Sequence, residues 1–146
     1  MVGRLARLLM CLASLDLGCC LVTLVTGANK GIGREIARKL GKTPGTTTIL
    51  ACRDVALGTA AADELRASGC EKVVVQRLDL TDASSIEEVA RYVESEHGKL
   101  DILVNNAAIC FNDPTLYGKV PHTPFEQQAG ITVRTNFFGT VRAACC

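Results

Sequence analysis

The residues of this chain best suited to chemistry lie near its start, in Thr26-Gly27-Ala28-Asn29-Lys30-Gly31-Ile32-Gly33. Glycine takes backbone angles that other residues resist and lets the main chain come close to a ligand. A helix that begins in such a turn aims unpaired N–H groups and the positive end of its dipole at the turn, which suits a pyrophosphate. The spacing is G-x-x-x-G-x-G, not the commoner G-x-G-x-x-G. Three glycines by themselves also make a plain tight turn, so the flanking elements decide. Two cations stand nearby in this reading. Arg53 follows an apolar run, and its guanidinium can bind a phosphate dianion through paired hydrogen bonds or lie on the surface beside Asp54. Lys30 is either a second phosphate ligand or a plain surface lysine.

These residues need strands and helices to position them, and the pattern supplies both. Residues 21–26 are a compact apolar run leading into the glycine turn. Ile36, Ala37 and Leu40 follow at helical spacing, with Gly41 placed to end the helix. Residues 46–52 read as a strand. Asp54 is placed to cap a second helix carrying Leu57, Ala61 and Leu65, closed by Gly69. Val73, Val74 and Val75 mark a third strand over residues 72–78. Ser84 and Glu87 form a capping-box pattern, followed by Ile86, Val89, Ala90 and Val93 on one helical face and by Gly98 as a stop. Residues 101–105 hold Ile102, Leu103 and Val104, a fourth strand. A polar loop with Pro114, Pro121 and Pro124 precedes a last segment, 125–146, helical in its later part. There Phe137, Phe138 and Val141 are expected to pack on the sheet.

Strands alternating with helices predict an α/β domain with a doubly wound parallel sheet, the Rossmann fold, with helices on both faces. The expected strand order is 3-2-1-4, so the glycine turn lies at the carboxyl end of the first strand. The reading divides the chain into an N-terminal extension, 1–20, and one nucleotide-binding domain, 21–146. A single core suits a length of 146 residues.

Composition removes other classes. A net charge of +1, with no Trp and 2 Tyr, offers neither the field nor the stacking platform of a nucleic-acid binder. The 8 Cys show no C-x-x-C pair and no metal-ligand spacing. They read as free, mostly buried thiols of a reducing, cytoplasmic compartment rather than a secreted disulfide scaffold. Arg4 and Arg7 precede an apolar stretch, 8–15, that is too short to span a bilayer. It is either a targeting peptide or a dispensable extension. His97 and His122 match no triad and are expected at the surface.

The cofactor follows from the end of the second strand. Dinucleotide-binding proteins that prefer NAD usually carry an acid there for the ribose hydroxyls. Cys52 and Arg53 stand there instead, which points to the 2′-phosphate of NADP(H).

The turn T-G-x-x-x-G-I-G resembles that of the short-chain dehydrogenase/reductase family, and Thr-Gly-Ala-Asn-Lys-Gly-Ile-Gly is similar to its NADPH-dependent carbonyl reductase branch. Leu78-Asp79-Leu80-Thr81-Asp82, Asn105-Asn106-Ala107 and Thr135-Asn136-Phe137-Phe138-Gly139 resemble further family segments in the same order. The resemblance implies that Gly27, Asn29, Lys30, Gly31, Ile32, Gly33 and Arg53 bind the cofactor. It implies an adenine contact for Asp79 and Leu80, and a cofactor-lining role for Asn105 and Ala107 at the end of the fourth strand. It makes Asn136 the catalytic-site Asn that holds a water in the proton relay. Ala108 departs from the family's glycine. The family's proton donor is a Tyr with a Lys four residues on, helped by a Ser. No Y-x-x-x-K occurs in the chain, since Tyr92 is followed by Glu96 and Tyr117 by Pro121. The expectation is therefore the N-terminal half of a carbonyl-reducing enzyme, with the fold incomplete at the C-terminus. The alternative is a non-catalytic nucleotide-binding or protein-interaction module. The implied partner is a small carbonyl substrate once the fold is completed. An open edge beside the fourth strand invites self-association.

Overall fold

The computed structural model describes residues 20–109 and 125–146. Strands β1 (Val22–Thr26), β2 (Thr47–Cys52), β3 (Lys72–Arg77) and β4 (Ile102–Val104) form one parallel sheet in the order β3-β2-β1-β4. Between them run helices α1 (Gly31–Gly41), α2 (Val55–Ala67) and α3 (Ala83–His97). The register aligns Val25 with Leu50 and Val104, and Leu50 with Val75.

Successive residues of a strand point to opposite faces, and both faces here are covered. Val22, Leu24, Ile49 and Ala51 pack against Ile86, Val89 and Val93 of α3. On the other face Val25, Leu50 and Val73 meet Ala37 of α1 and Ala61, Ala62 and Leu65 of α2. This is the doubly wound arrangement expected from the pattern. It explains why β1 and β2 are apolar or β-branched throughout rather than alternating.

The helix ends show where local chemistry prevails. Asp54 caps α2, its carboxylate accepting the Leu57 amide at 3.0 Å. For α3 the expected cap on Ser84 is corrected: Asp82 caps the helix, accepting the Ser84 and Ser85 amides and the Ser84 hydroxyl. Two serines following an aspartate let the charged acceptor take the cap and place Ser84 inside the first turn. The Ser84 hydroxyl, and then Arg77, hold the Asp82 carboxyl below its ordinary range. Gly69 and Gly98 carry positive φ after α2 and α3 as expected. After α1 that conformation falls on Gly45, not Gly41. Gly41 is small for another reason, since a Cβ there would lie 3.1 Å from the Cys70 sulfur.

The C-terminal segment is α4 (Phe125–Val133), a π-helical turn (Arg134–Gly139) and α5 (Thr140–Cys145). Here a sequence expectation fails. Phe137, Phe138 and Val141 are 59, 62 and 46% exposed, while Thr135 and Gly139 are buried. A Cβ on Gly139 would collide with the Leu80 carbonyl oxygen. The glycine lets this helix approach the Leu80 segment that follows β3, and the wider π turn shifts the phase of the residues that follow. An apolar stripe tells which residues avoid water, not what covers them.

The expectation of mostly buried thiols also needs correction. Cys52 and Cys70 are buried, whereas Cys20, Cys145 and Cys146 are exposed, and all five are free. His97 is half-buried rather than superficial, with its ring edge-on to Tyr92 at 5.6 Å. The proline loop, Tyr117, His122, Cys11, Cys19, Cys110 and the apolar stretch 8–15 lie outside the described residues. Among those described, no helix is long and apolar enough to cross a membrane.

Candidate functional site

The carboxyl ends of the parallel strands open into a cavity of about 390 Å³. Its floor begins at Thr26, the last residue of β1. The Thr26 hydroxyl accepts the amides of Asn106 at 3.0 Å and Ala107 at 2.9 Å. The Asn106 side-chain amide donates to the carbonyls of Thr26 at 2.9 Å and Gly27 at 3.4 Å. Two neighbouring strand ends are thereby locked to each other and to the glycine turn.

The three glycines of the turn answer different demands. Gly27 (φ +67) and Gly31 (φ +56) take left-handed conformations. Nothing lies within 4 Å of a Cβ built on Gly31, so its outer side is open. Gly33 is pressed against the turn: a Cβ there would overlap the Asn106 side-chain amide and lie 2.6 Å from the Gly27 carbonyl oxygen. Gly33→Ala is expected to cost about 1–3 kcal/mol as an overpacking change, lowering Tm by several degrees. It should also weaken any ligand of the turn. A Gly31→Ala control replaces a residue in open space, so its penalty is confined to backbone strain. Thermal melts of the two variants check this.

The α1 N-terminus is electrically open. Lys30 occupies the cap position in extended conformation, with no capping hydrogen bond from its side chain, and the first turn holds no acid. The Gly31, Ile32 and Gly33 amides therefore begin a helix whose positive end gets no acceptor from the cap side chain or from an acid in the first turn. At α2 and α3 an aspartate fills that position.

Lys30 and Arg53 both line the cavity, with Asn29, Gly27, Asp54, Asp79, Leu80 and Ala107. Asp79 lies two residues beyond β3 and accepts the Thr81 amide at 2.9 Å and hydroxyl at 2.7 Å. Burial pushes its carboxyl up, but those hydrogen bonds together with Arg53 and Arg77 more than offset this, and its pKa lies below the ordinary value. Asp79 is therefore an acceptor at neutral pH. Burial, and then Asp54, push the Cys52 thiol up, so this cavity residue stays protonated and is a poor nucleophile.

The structure places two further residues singled out in the sequence. Asn105 is exposed and does not line the cavity; its neighbour Asn106 makes the strand-end contacts. Asn136, in the π turn, accepts the Ile109 amide at 2.9 Å and donates to the Ile109 carbonyl at 2.8 Å. It clamps the segment leaving β4, and that segment (Ala107, Ala108, Ile109) lines the cavity. Thr26 and Asn106 escaped sequence reasoning. The available signal was a hydroxyl residue closing β1 opposite an amide residue just past β4.

A doubly wound parallel sheet with an open helix N-terminus and two cations at its strand ends defines a Rossmann-type α/β domain. A model of the short chain dehydrogenase family matches residues 21–145, and the chain belongs to that family. Among curated relatives, carbonyl reductase (NADPH) 1 of Pongo abelii is 46% identical over 121 residues, 82% of this chain and 40% of the relative. Carbonyl reductase (NADPH) 3 of Homo sapiens is 43% identical over 124 residues, 84% of this chain and 42% of the relative. The chain thus spans about 40% of the length of these relatives. Menthone neomenthol reductase from Mentha piperita superposes with a TM-score of 0.71 at 32% identity, covering 85% of this chain and 53% of that one. A metagenomic short-chain oxidoreductase solved in complex with NADP gives a TM-score of 0.69 at 33% identity, covering 86% and 53%.

Proposed function

We propose that this chain provides the NADP(H)-binding part of a short-chain oxidoreductase that reduces carbonyl groups by hydride transfer. The carrying observation is that Gly27, Asn29 and Lys30, the turn that leads into the uncapped α1, line one cavity with Arg53, while Gly31, Ile32 and Gly33 lie just beyond its lining. The fit is chemical as well as spatial. Free amides and an open Gly31 suit a pyrophosphate, Arg53 suits a 2′-phosphate, and no acid at the end of β2 competes except Asp54, whose carboxylate is engaged as a helix cap. Asp79 supplies a charged acceptor for the adenine, with apolar Leu80 beside it. Ala107 would line the nicotinamide half of the cofactor, and Gly27 and Asn29 would line its phosphates. The names of the carbonyl reductase (NADPH) relatives and of the NADP complex support this choice of cofactor.

When bound, the nicotinamide supplies the hydride. The chain's own residues hold and orient it, and Asn136 fixes the wall on which the substrate carbonyl would rest. The residues for proton donation, a Tyr with a Lys four places on, do not occur among these 146. In this reading, binding and orientation belong to this portion and protonation does not.

A thermal-shift titration tests the proposal. At a hundredfold excess over Kd, NADPH should add about 2.7 kcal/mol of stability and raise Tm accordingly. An unchanged melt at millimolar NADPH would refute it.

A further inference from the structure

A buried hydroxyl without a partner is costly, so folded chains pair nearly all of them. Among the described residues, three buried side-chain polar atoms have no partner: Thr46 Oγ1, His97 Nε2 and Thr135 Oγ1. Thr46 stands just before β2, beside a separate cavity of about 70 Å³, and His97 is the last residue of α3. Thr135 differs from both, because it lines the strand-end cavity itself while remaining only 7% exposed.

The helical segment that carries Thr135 is held in place on both sides of the cavity. One turn on, Gly139 is pressed against the Leu80 carbonyl oxygen, and the next residue, Asn136, bonds both backbone groups of Ile109. The segment is thus anchored to the Leu78-Asp79-Leu80 wall and to the Ala107-Ala108-Ile109 wall. Among the residues lining the cavity, the hydroxyls belong to Thr26 and Thr135. That of Thr26 is fully engaged: it accepts the Asn106 and Ala107 amides and donates to the Val104 carbonyl at 3.4 Å. That of Thr135 makes no bond. A helical threonine divides between two side-chain rotamers, one of which lets the hydroxyl bond a carbonyl of the preceding turn. Thr135 has no such bond to lose, so turning its hydroxyl into the cavity breaks nothing.

We infer that Thr135 is a recognition residue for the adenosine half of the cofactor, its hydroxyl donating to a ring nitrogen of the base. The inference rests on the NADP(H) reading of the cavity and adds a contact to it. The chemistry favours the base over the phosphates. An uncharged hydroxyl among leucines, alanines and Ile109 offers little to a dianion, for which the same cavity holds Lys30 and Arg53. A purine presents apolar faces and, along its edge, ring nitrogens that accept hydrogen bonds. Asp79 is ionised at neutral pH and only accepts, so it can serve the amino group of the base but not a ring nitrogen. A hydroxyl can donate, and Thr135 carries the one in this lining whose capacity is unused.

The test compares the unaltered chain with Thr135→Val, which keeps the shape and removes the hydroxyl, and with Thr135→Ser, which keeps the hydroxyl. Without ligand, Thr135→Val should melt no lower than the unaltered chain, because it deletes an unpaired buried hydroxyl. In calorimetric titrations with NADPH and with 2′,5′-ADP, which lacks the nicotinamide half, Thr135→Val should bind both about two- to tenfold more weakly, the size of one neutral hydrogen bond. Thr135→Ser should recover most of that affinity. Undiminished affinity in Thr135→Val overturns the inference and leaves the cofactor reading intact. An equal loss in Thr135→Ser overturns it too, since the methyl group rather than the hydroxyl would then matter. So does a loss seen with NADPH but not with 2′,5′-ADP, or a lower Tm for ligand-free Thr135→Val, which would mean that the hydroxyl has a partner inside the protein. If the unaltered chain binds neither ligand, the cofactor reading falls and this contact falls with it.

Discussion

NADPH should bind this chain about ten- to hundredfold more tightly than NADH. The two cofactors differ by one phosphate, and the group proposed to sense it is Arg53, which lines the cavity at the end of β2. A charge-assisted hydrogen bond is worth about 1.5–3 kcal/mol, which is the stated ratio. Arg53 is exposed, so the preference should shrink as salt rises. Arg53→Asp should erase it, since the new carboxylate repels the 2′-phosphate and can accept the ribose hydroxyls of NADH. Lys30 stands at the helix start, closer to the turn than to the β2 end. Lys30→Ala should therefore weaken both cofactors alike if it holds the pyrophosphate, and change neither if it is a surface lysine. Titration calorimetry of the three chains at one ionic strength separates these cases. Equal NADPH and NADH affinities in the unaltered chain would remove Arg53 from the site.

Much of the fold was legible because parallel sheets leave a strong local trace. Val73-Val74-Val75 and Ile102-Leu103-Val104 are apolar at consecutive positions, which only a sheet covered on both faces requires. The glycine turn was legible because Gly27 and Gly31 have backbone demands that few other residues meet. What escaped the sequence involves contacts between distant segments. Asn105 and Asn106 are indistinguishable as types, and only the register of β4 against β1 turns Asn106 toward Thr26 while leaving Asn105 exposed. Likewise Phe137 and Phe138 read as core because they are large and apolar. Gly139 and Thr135 take the buried positions instead, and at 139 Leu80 lies too close for any side chain. The clamp of Asn136 on Ile109 was invisible for the same reason, as it joins residues 27 apart in sequence. Sequence types mark the cofactor side of the site, where backbone conformation is unusual, better than the side built from long-range hydrogen bonds.

The 146 residues alone should consume NADPH with quinones and aldehydes no faster than a protein-free control. Reducing a carbonyl requires a hydride to carbon and a proton to oxygen, and no Tyr with a Lys four residues on occurs in these 146 residues. A phenol titrates near pH 10, and it serves as an acid near neutrality when a neighbouring cation lowers that value. Tyr92 cannot play this part: it is half-buried against the α3 core, edge-on to His97, and it does not line the cavity. The cavity thiol Cys52 is held protonated by burial but is committed to the Asp54 carbonyl at 3.3 Å. General acid catalysis contributes about 10²–10⁴-fold, and loss of substrate positioning costs more. A chimera that supplies the second half of human carbonyl reductase (NADPH) 1 should therefore gain at least 10²-fold over the chain alone. Within that chimera, Asn136→Ala should lower kcat more than it raises KM. It loosens the Ile109 segment that walls the cavity while leaving the glycine turn intact. The measurement is NADPH absorbance at saturating cofactor, with the chain, the chimera and the Asn136 variant side by side. Robust turnover by the 146 residues alone would mean that another acid protonates the carbonyl, and Tyr117→Phe would be the variant to make next.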